Sequence, residues 1–282
     1  MLSKINNTLM NLAISVTGYI FSWPGKEALY QVGKEFIRRS GIGDGKYPVS
    51  FNPWEVELYD DHTESQFKFV KCYQRAMEDT GCESYDNFAK RGRHFMLFDL
   101  LNLSFDNLGD QGALAECGCW KGQSTYMLAN VVKERGVSPF HVFDSFEGLS
   151  SYEDEDIDQR NSVDREYLNN RRRHFASEEE IVKINLSKFD FISFYKGWIP
   201  GRFGEVAEFE YKFVHIDVDM YQPYVDSIRF FYPRMLKGGV IVFDDYGSSG
   251  FPGARRAVDE LAEEFQPSIF LRFPLGGACW II

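Results

Sequence analysis

Apolar residues recur at helical spacing over Lys26 to Arg39 and over Ser65 to Asp79, separated by loop signals such as Gly41-Ile-Gly-Asp-Gly45 and Asn52-Pro53. No strand-like alternation is visible in this first third. From Ala113 the pattern changes, and short runs rich in β-formers alternate with helical stretches, as in βαβ units built around a parallel sheet. The runs that predict strands are Ala113 to Cys117, Phe140 to Asp144, Phe191 to Tyr195, Lys212 to Asp217, Val240 to Asp244, Ser268 to Arg272 and Ala278 to Ile282. Helices are predicted between them over Ser124 to Arg135, Glu178 to Leu186, Pro223 to Leu236 and Gly253 to Phe265. Ser177, followed by three glutamates, reads as a helix N-cap, and Gly238 in Lys237-Gly-Gly239 reads as a left-handed helix stop.

The expected fold class is therefore α/β with seven strands, a core domain over 111–282 and an N-terminal helical region over 1–110. One stretch, 150–177, breaks the rhythm. It carries Glu153 to Asp156 and then Arg171 to Arg173, with little apolar periodicity. A connection that long is a mobile lid, a disordered insertion, or a solvated loop with a short helix.

The 282 residues, 44% hydrophobic and 26% charged, are ordinary for a globular chain, which excludes full disorder and collagen-like repeats. Forty-two acidic against 31 basic residues give a net charge of -11, which argues against a general nucleic-acid binder. Five cysteines without paired CxxC spacing signal neither a zinc ribbon nor a disulfide framework, so a cytoplasmic, reducing location is expected. The stretch Leu9 to Trp23 is interrupted by polar residues and is too short to span a membrane. It reads as an amphipathic helix packed on this chain or on a neighbouring subunit.

Three features carry candidate chemistry. The first strand runs Ala113-Leu-Ala-Glu116-Cys117 into Gly118-Cys-Trp-Lys-Gly122, and a helix starts near Ser124. Such a turn either cradles a small molecule against the helix N-terminus or merely reverses the chain. It lacks the GxGxxG register, so pyrophosphate binding is disfavoured. Asp144 ends the second strand 26 residues after Gly118, followed by Ser145, either to hold ribose hydroxyls or to cap the next segment. The fourth and fifth strands end in His215-Ile-Asp217-Val-Asp219 and Asp244-Asp245. If these strands are neighbours, four carboxylates meet at one sheet edge and repel unless protonated or neutralised by a cation. An oxygen-rich set of that kind suits Mg²⁺ or another hard divalent ion, with His215 behind it; the alternative is acidic strand ends facing solvent.

Read together, ECGCWKGQS (116–124), FDSFEGL (143–149), YKGW (195–198), HIDVDMYQP (215–223) and FYPRMLKGGVIVFDDYG (231–247) resemble the macrocin O-methyltransferase (TylF-like) family of class I, S-adenosylmethionine-dependent methyltransferases. The resemblance implies a doubly wound, mostly parallel sheet with an antiparallel last strand. It also implies N-terminal helices that cap the site and form a homo-oligomer, and metal-assisted methyl transfer to a hydroxyl, often on the sugar of a small-molecule or glycan acceptor. By the same resemblance Glu116, Gly118 and Ser124 would line the methionine part of S-adenosylmethionine, Asp144 with Ser145 its ribose, and Gly197 and Trp198 its adenine. Asp217, Asp244 and Asp245 would hold the metal, with Asp217 also the general base, while Asp219 would touch the ion through water or contact the substrate. Cys117 and Cys119 depart from the small or β-branched residues expected there and read as buried small hydrophobes. The rival readings are a methyltransferase-fold scaffold that has lost catalysis and an NAD(P)-linked oxidoreductase.

Overall fold

A computed structural model describes residues 64–82, 90–157, 165–248, 250–273 and 276–282. The amphipathic helix expected within 9–23 and the helix over 26–39 lie outside these residues. All described residues belong to one unit that spans 51–282.

Seven strands form a single sheet: β1 (Ala113–Cys117), β2 (Phe140–Asp144), β3 (Ile192–Lys196), β4 (Tyr211–Ile216), β5 (Met235–Phe243), β6 (Ile269–Arg272) and β7 (Ala278–Ile281). Their order is β3-β2-β1-β4-β5-β7-β6. The first five run parallel, and β7 lies antiparallel to both β5 and β6. Chain order reverses between β1 and β4, and the loops leaving the C-terminal ends of such neighbouring strands enclose the crevice where open α/β sheets bind ligands.

The period of two along each strand assigns its residues to two cores. Leu114, Val142, Phe213, Val240 and Val242 face a layer that contains α1 (Glu64–Thr80), α2 (Arg91–Leu108), α3 (Gln123–Arg135) and α5 (Glu179–Leu186). Ala115, Phe143, Val214, Ile241 and Phe243 face the opposite layer, built on α6 (Tyr221–Phe231) and α7 (Pro252–Phe265). In α1 the buried Phe69, Tyr73 and Ala76 recur at spacings of four and three, which gives this helix one apolar face. In α2 spacings of four place Leu97, Leu101 and Phe105 in the core shared with the sheet. Both helices, grouped by sequence with the N-terminal region, thus share a core with the strands.

Among the described residues, one further α-helix, α4 (Arg165–His174), lies within the 150–177 connection. That connection docks at several points: Tyr221 N donates to Asp156 Oδ1 at 2.7 Å, Arg171 Nη1 to the Gly250 carbonyl at 2.8 Å and Arg172 Nε to the Leu149 carbonyl at 3.0 Å.

Three local expectations are corrected. Ser177 does not cap α5; the residue before the helix is Glu178, with no side-chain cap, and the Ser177 hydroxyl is buried. The helix expected over 223–236 ends at Phe231, and Pro233 sits in a 3-10 turn over Tyr232–Arg234. Gly238 is left-handed (φ +86°), but it lies inside β5, where Tyr211 pairs with Met235 while Phe213 pairs with Val240. The extra residues bulge out of the ladder, and a glycine accommodates the turn that this requires.

Candidate active site

A cleft of about 970 Å³, its open mouth included, lies over the C-terminal ends of β1, β2 and β4. Gly118 lines it from the β1–α3 turn, Ser124 from the first turn of α3, Asp144 and Ser145 from the end of β2, Gly197 and Trp198 from the loop after β3, and Asp217 and Asp219 from the end of β4 and the loop that follows. Eight residues given a site role from the sequence thus meet in one cleft. Glu116, Asp244 and Asp245 are buried and do not line it.

Gly118 is required by the backbone itself. It has φ +82°, and a Cβ there would overlap the carbonyl oxygen of Asp217 and come within 2.9 Å of its carbonyl carbon. Gly118 N donates to the Phe143 carbonyl and Asp217 N to the Cys117 carbonyl, each at 2.8 Å, so the turn is laced to the ends of β2 and β4. Asp144 completes the lacing. Its Oδ2 accepts from Cys119 N (2.7 Å) and Trp120 N (3.0 Å), and its Oδ1 from Phe146 N (2.7 Å). A carboxylate offers about four lone-pair sites, so capacity on Oδ1 remains for a ligand hydroxyl. Ser145 Oγ donates to the Gly148 carbonyl and accepts from Glu147 N, both at 3.1 Å, so this hydroxyl shapes the loop.

Behind the cleft, Glu116 is fully buried. It accepts a hydrogen bond from Thr125 and pairs with His215 Nδ1 at 2.9 Å, so both its oxygens are engaged away from the cavity. Burial works against charge on His215, but the hydrogen bond and charge of Glu116 outweigh it and raise the imidazole's pKa.

The acidic strand ends divide between the two faces of the sheet. Asp217 and Asp244 continue the parity of Phe213 and Val242, toward α2. Asp245 points the other way, where its Oδ2 accepts from Asp219 N (3.2 Å) and Tyr224 Oη (3.3 Å). On the α2 side two cations wait: Lys90 Nζ lies 2.8 Å from Asp217 Oδ2 and 3.1 Å from Asp244 Oδ2. Arg93 grips Asp244 with two contacts, Nε to Oδ1 at 3.2 Å and Nη2 to Oδ2 at 3.0 Å. Burial raises the pKa of the Asp244 carboxyl, but Arg93 and Lys90 overcome it and hold the group well below the usual range. Asp219 and Asp245 make no ion pair to a described residue, and burial together with the neighbouring carboxylates pushes both of their pKa values up.

Two groupings of donors result. Asp217, Asp219 and Asp245 each offer an atom within 4.8 Å of the others, and so do His215, Asp217 and Asp244. The donor set named from sequence is divided between them, with Asp217 in both. Oxygen donors on two buried carboxyls that lack a described cation partner fit a hard divalent ion, which would restore the missing positive charge.

Lys90, Arg93 and His94 were missed by the sequence reading. They sit at spacings of three and one where α2 begins, and basic residues at a helix N-terminus oppose its dipole. Such a cationic first turn, in a chain with an acidic surplus, signals that carboxylates elsewhere in the fold compensate it. His94 is buried and borders the cleft, and its pKa is lowered to about 3, chiefly by burial.

The sheet order, with β7 antiparallel and a cleft over the β1 and β4 ends, is that of the class I methyltransferase fold. Two solved structures share it: the O-methyltransferase NovP (24% identity, TM-score 0.54, 67% of this chain and 78% of that one) and the calicheamicin methyltransferase CalS11 (15% identity, TM-score 0.54, 85% and 98%). The chain belongs to the macrocin-O-methyltransferase (TylF) family, whose model matches residues 104–267. It is 28% identical over 145 residues to the 8-demethyl-8-(2,3-dimethoxy-alpha-L-rhamnosyl)-tetracenomycin-C 4'-O-methyltransferase of Streptomyces olivaceus, covering 49% of this chain and 54% of that protein. It is 26% identical over 161 residues to the demethyldecarbamoylnovobiocin O-methyltransferase of Streptomyces niveus, covering 55% and 59%. The matched stretch thus spans little more than half the length of these relatives.

Proposed function

We propose that this protein transfers a methyl group from S-adenosylmethionine to a hydroxyl on the sugar of a glycosylated small molecule or polysaccharide, assisted by a divalent cation. The observation that carries the reading is the cleft itself, which the glycine turn, Asp144 and Asp217 line together. Family membership and the names of the relatives support the reaction class and the acceptor class.

In this reading the β1–α3 turn and Ser124 bind the methionine end of the cofactor, the open lone pair of Asp144 takes a ribose hydroxyl, and Trp198, 42% exposed, covers the adenine. S-Adenosylmethionine supplies an activated methyl group with a good leaving group. Asp217, with Asp219 and Asp245, would hold the cation, which supplies positive charge against an oxygen that is losing its proton. An alcohol is a poor nucleophile near neutral pH, so Asp217 accepts the hydroxyl proton as the oxygen attacks. The cleft walls align the two reactants, and orientation of that kind contributes a large part of the rate. The N-terminal helices would join copies of the chain, and a cytoplasmic setting agrees with five free cysteines. No helix among the described residues is long and apolar enough to cross a membrane.

The test is incubation with methyl-labelled S-adenosylmethionine and a panel of glycosylated acceptors, with and without EDTA. Label should enter a sugar hydroxyl, cease with EDTA and return with Mg²⁺, and Asp217→Asn should bind the cofactor by calorimetry yet lose at least 100-fold in kcat. Full turnover in EDTA would remove the cation from the account, and binding of NAD(P) in place of S-adenosylmethionine would remove the methyl transfer.

A further inference from the structure

Lys90 is the first residue before α2, and its ammonium sits between two carboxylates, 2.8 Å from Asp217 Oδ2 and 3.1 Å from Asp244 Oδ2. Its side chain is 23% exposed, against 15% for Asp217 and 3% for Asp244, so the contact is partly shielded from water. Asp217 is also the one residue common to both donor groupings. An ion in either grouping must share that carboxylate with an ammonium already in contact with it. The grouping of His215, Asp217 and Asp244 carries a second mark of a ligand: His215 is 1% exposed, and its Nε2 has no hydrogen-bond partner among the described residues.

We propose that Lys90 is a built-in counter-cation that competes with the divalent ion for Asp217, so that metal occupancy and the position of the α2 N-terminus are coupled. The inference rests on the divalent cation of the proposed function. Two like charges on one shielded carboxylate repel, because the effective dielectric there is well below that of water. With an ion held by Asp217, Asp219 and Asp245, Lys90 would leave Asp217 and keep the contact it already has with Asp244, which Arg93 also holds; with an ion held by His215, Asp217 and Asp244, it would leave both carboxylates. By linkage, whatever draws Lys90 away from Asp217 tightens metal binding by the same factor. Lys90 thereby keeps Asp217 neutralised while the metal is absent, and sets the affinity with which the metal enters.

The experiment is Mn²⁺ binding followed by electron paramagnetic resonance in the full chain, for wild type, Lys90→Met, Lys90→Arg and Asp217→Asn, at one ionic strength and without substrate. Lys90→Met keeps the length of the stem and leaves Arg93 on Asp244; it should bind Mn²⁺ at least tenfold more tightly than wild type, while Lys90→Arg stays within threefold. A second measurement needs no variant: saturating Mg²⁺ should raise the rate of reductive methylation of Lys90 in wild type at least threefold, read by mass spectrometry. Tight Mn²⁺ binding by wild type with an equal or weaker affinity in Lys90→Met, or a labelling rate unmoved by Mg²⁺, overturns the competition and leaves the metal in place. Absence of millimolar binding in every variant overturns the competition and the metal together.

Discussion

Replacing Gly118 by alanine tests whether the cleft is held by backbone contact between the first turn and the end of β4. The new Cβ would overlap the Asp217 carbonyl oxygen and approach the carbonyl carbon to 2.9 Å, and both are main-chain atoms that no rotamer change can move. Three costs add. A left-handed residue with a Cβ costs about 1–2 kcal/mol, overpacking against a fixed neighbour about 1–3 kcal/mol, and weakening of the two backbone hydrogen bonds beside it about 1 kcal/mol. The expected loss is roughly 3–6 kcal/mol, a large part of the 5–15 kcal/mol typical of a folded domain. At about 2–4 °C per kcal/mol for a domain of this size, Tm should fall by on the order of 10 °C. Urea unfolding followed by circular dichroism gives the free energy, and calorimetry with S-adenosylmethionine reports the cleft. Gly204→Ala is the control: Gly204 has ordinary φ and open space around it, so the change should stay within about 0.5 kcal/mol. A Gly118→Ala protein within about 1 kcal/mol of wild type, with unchanged cofactor affinity, refutes the backbone argument.

Arg93→Met removes both guanidinium contacts from the buried Asp244 and leaves it Lys90 alone, which should lower stability by about 3 kcal/mol in urea unfolding at pH 7; a loss below about 1 kcal/mol would mean that Lys90 suffices. His141, packed among Tyr195, Phe209 and Tyr211, has its pKa lowered to about 4, mainly by burial. The unfolded chain therefore takes up more protons there between about pH 6.5 and 4, and stability should fall as pH drops through that window, by about 2 kcal/mol at pH 5. His141→Phe should flatten that part of the pH–stability curve, and an unchanged slope would show that another group carries it.

The alternation of strand and helix patterns from Ala113 onward determined the element types and most of their bounds, because period and turn chemistry are local properties. Gly118, Asp144 and the acidic strand ends were legible for the same reason: each lies where a strand stops, and parallel connections bring the C-terminal ends of the strands to one side of the sheet. Local information failed where partners are distant in sequence. Gly238 has the left-handed backbone expected of a helix stop, yet pairing of β5 with β4 and β7 makes it a bulge. Glu116 ends a strand as a ligand-binding acid would, but Thr125 and His215 claim both its oxygens. Asp244 and Asp245 are adjacent in the chain and face opposite layers, one toward Lys90 and Arg93, the other toward Tyr224. Sequence by itself determined which carboxylates end strands, since strand length and alternation fix that much; that β4 and β5 are neighbours, and so gather them, came from the sheet order. Which of them are already neutralised, and so which are left to hold an ion, only the tertiary structure decided, because charges separated by 127 and 151 residues compensate one another only when the fold brings them within 3 Å or so.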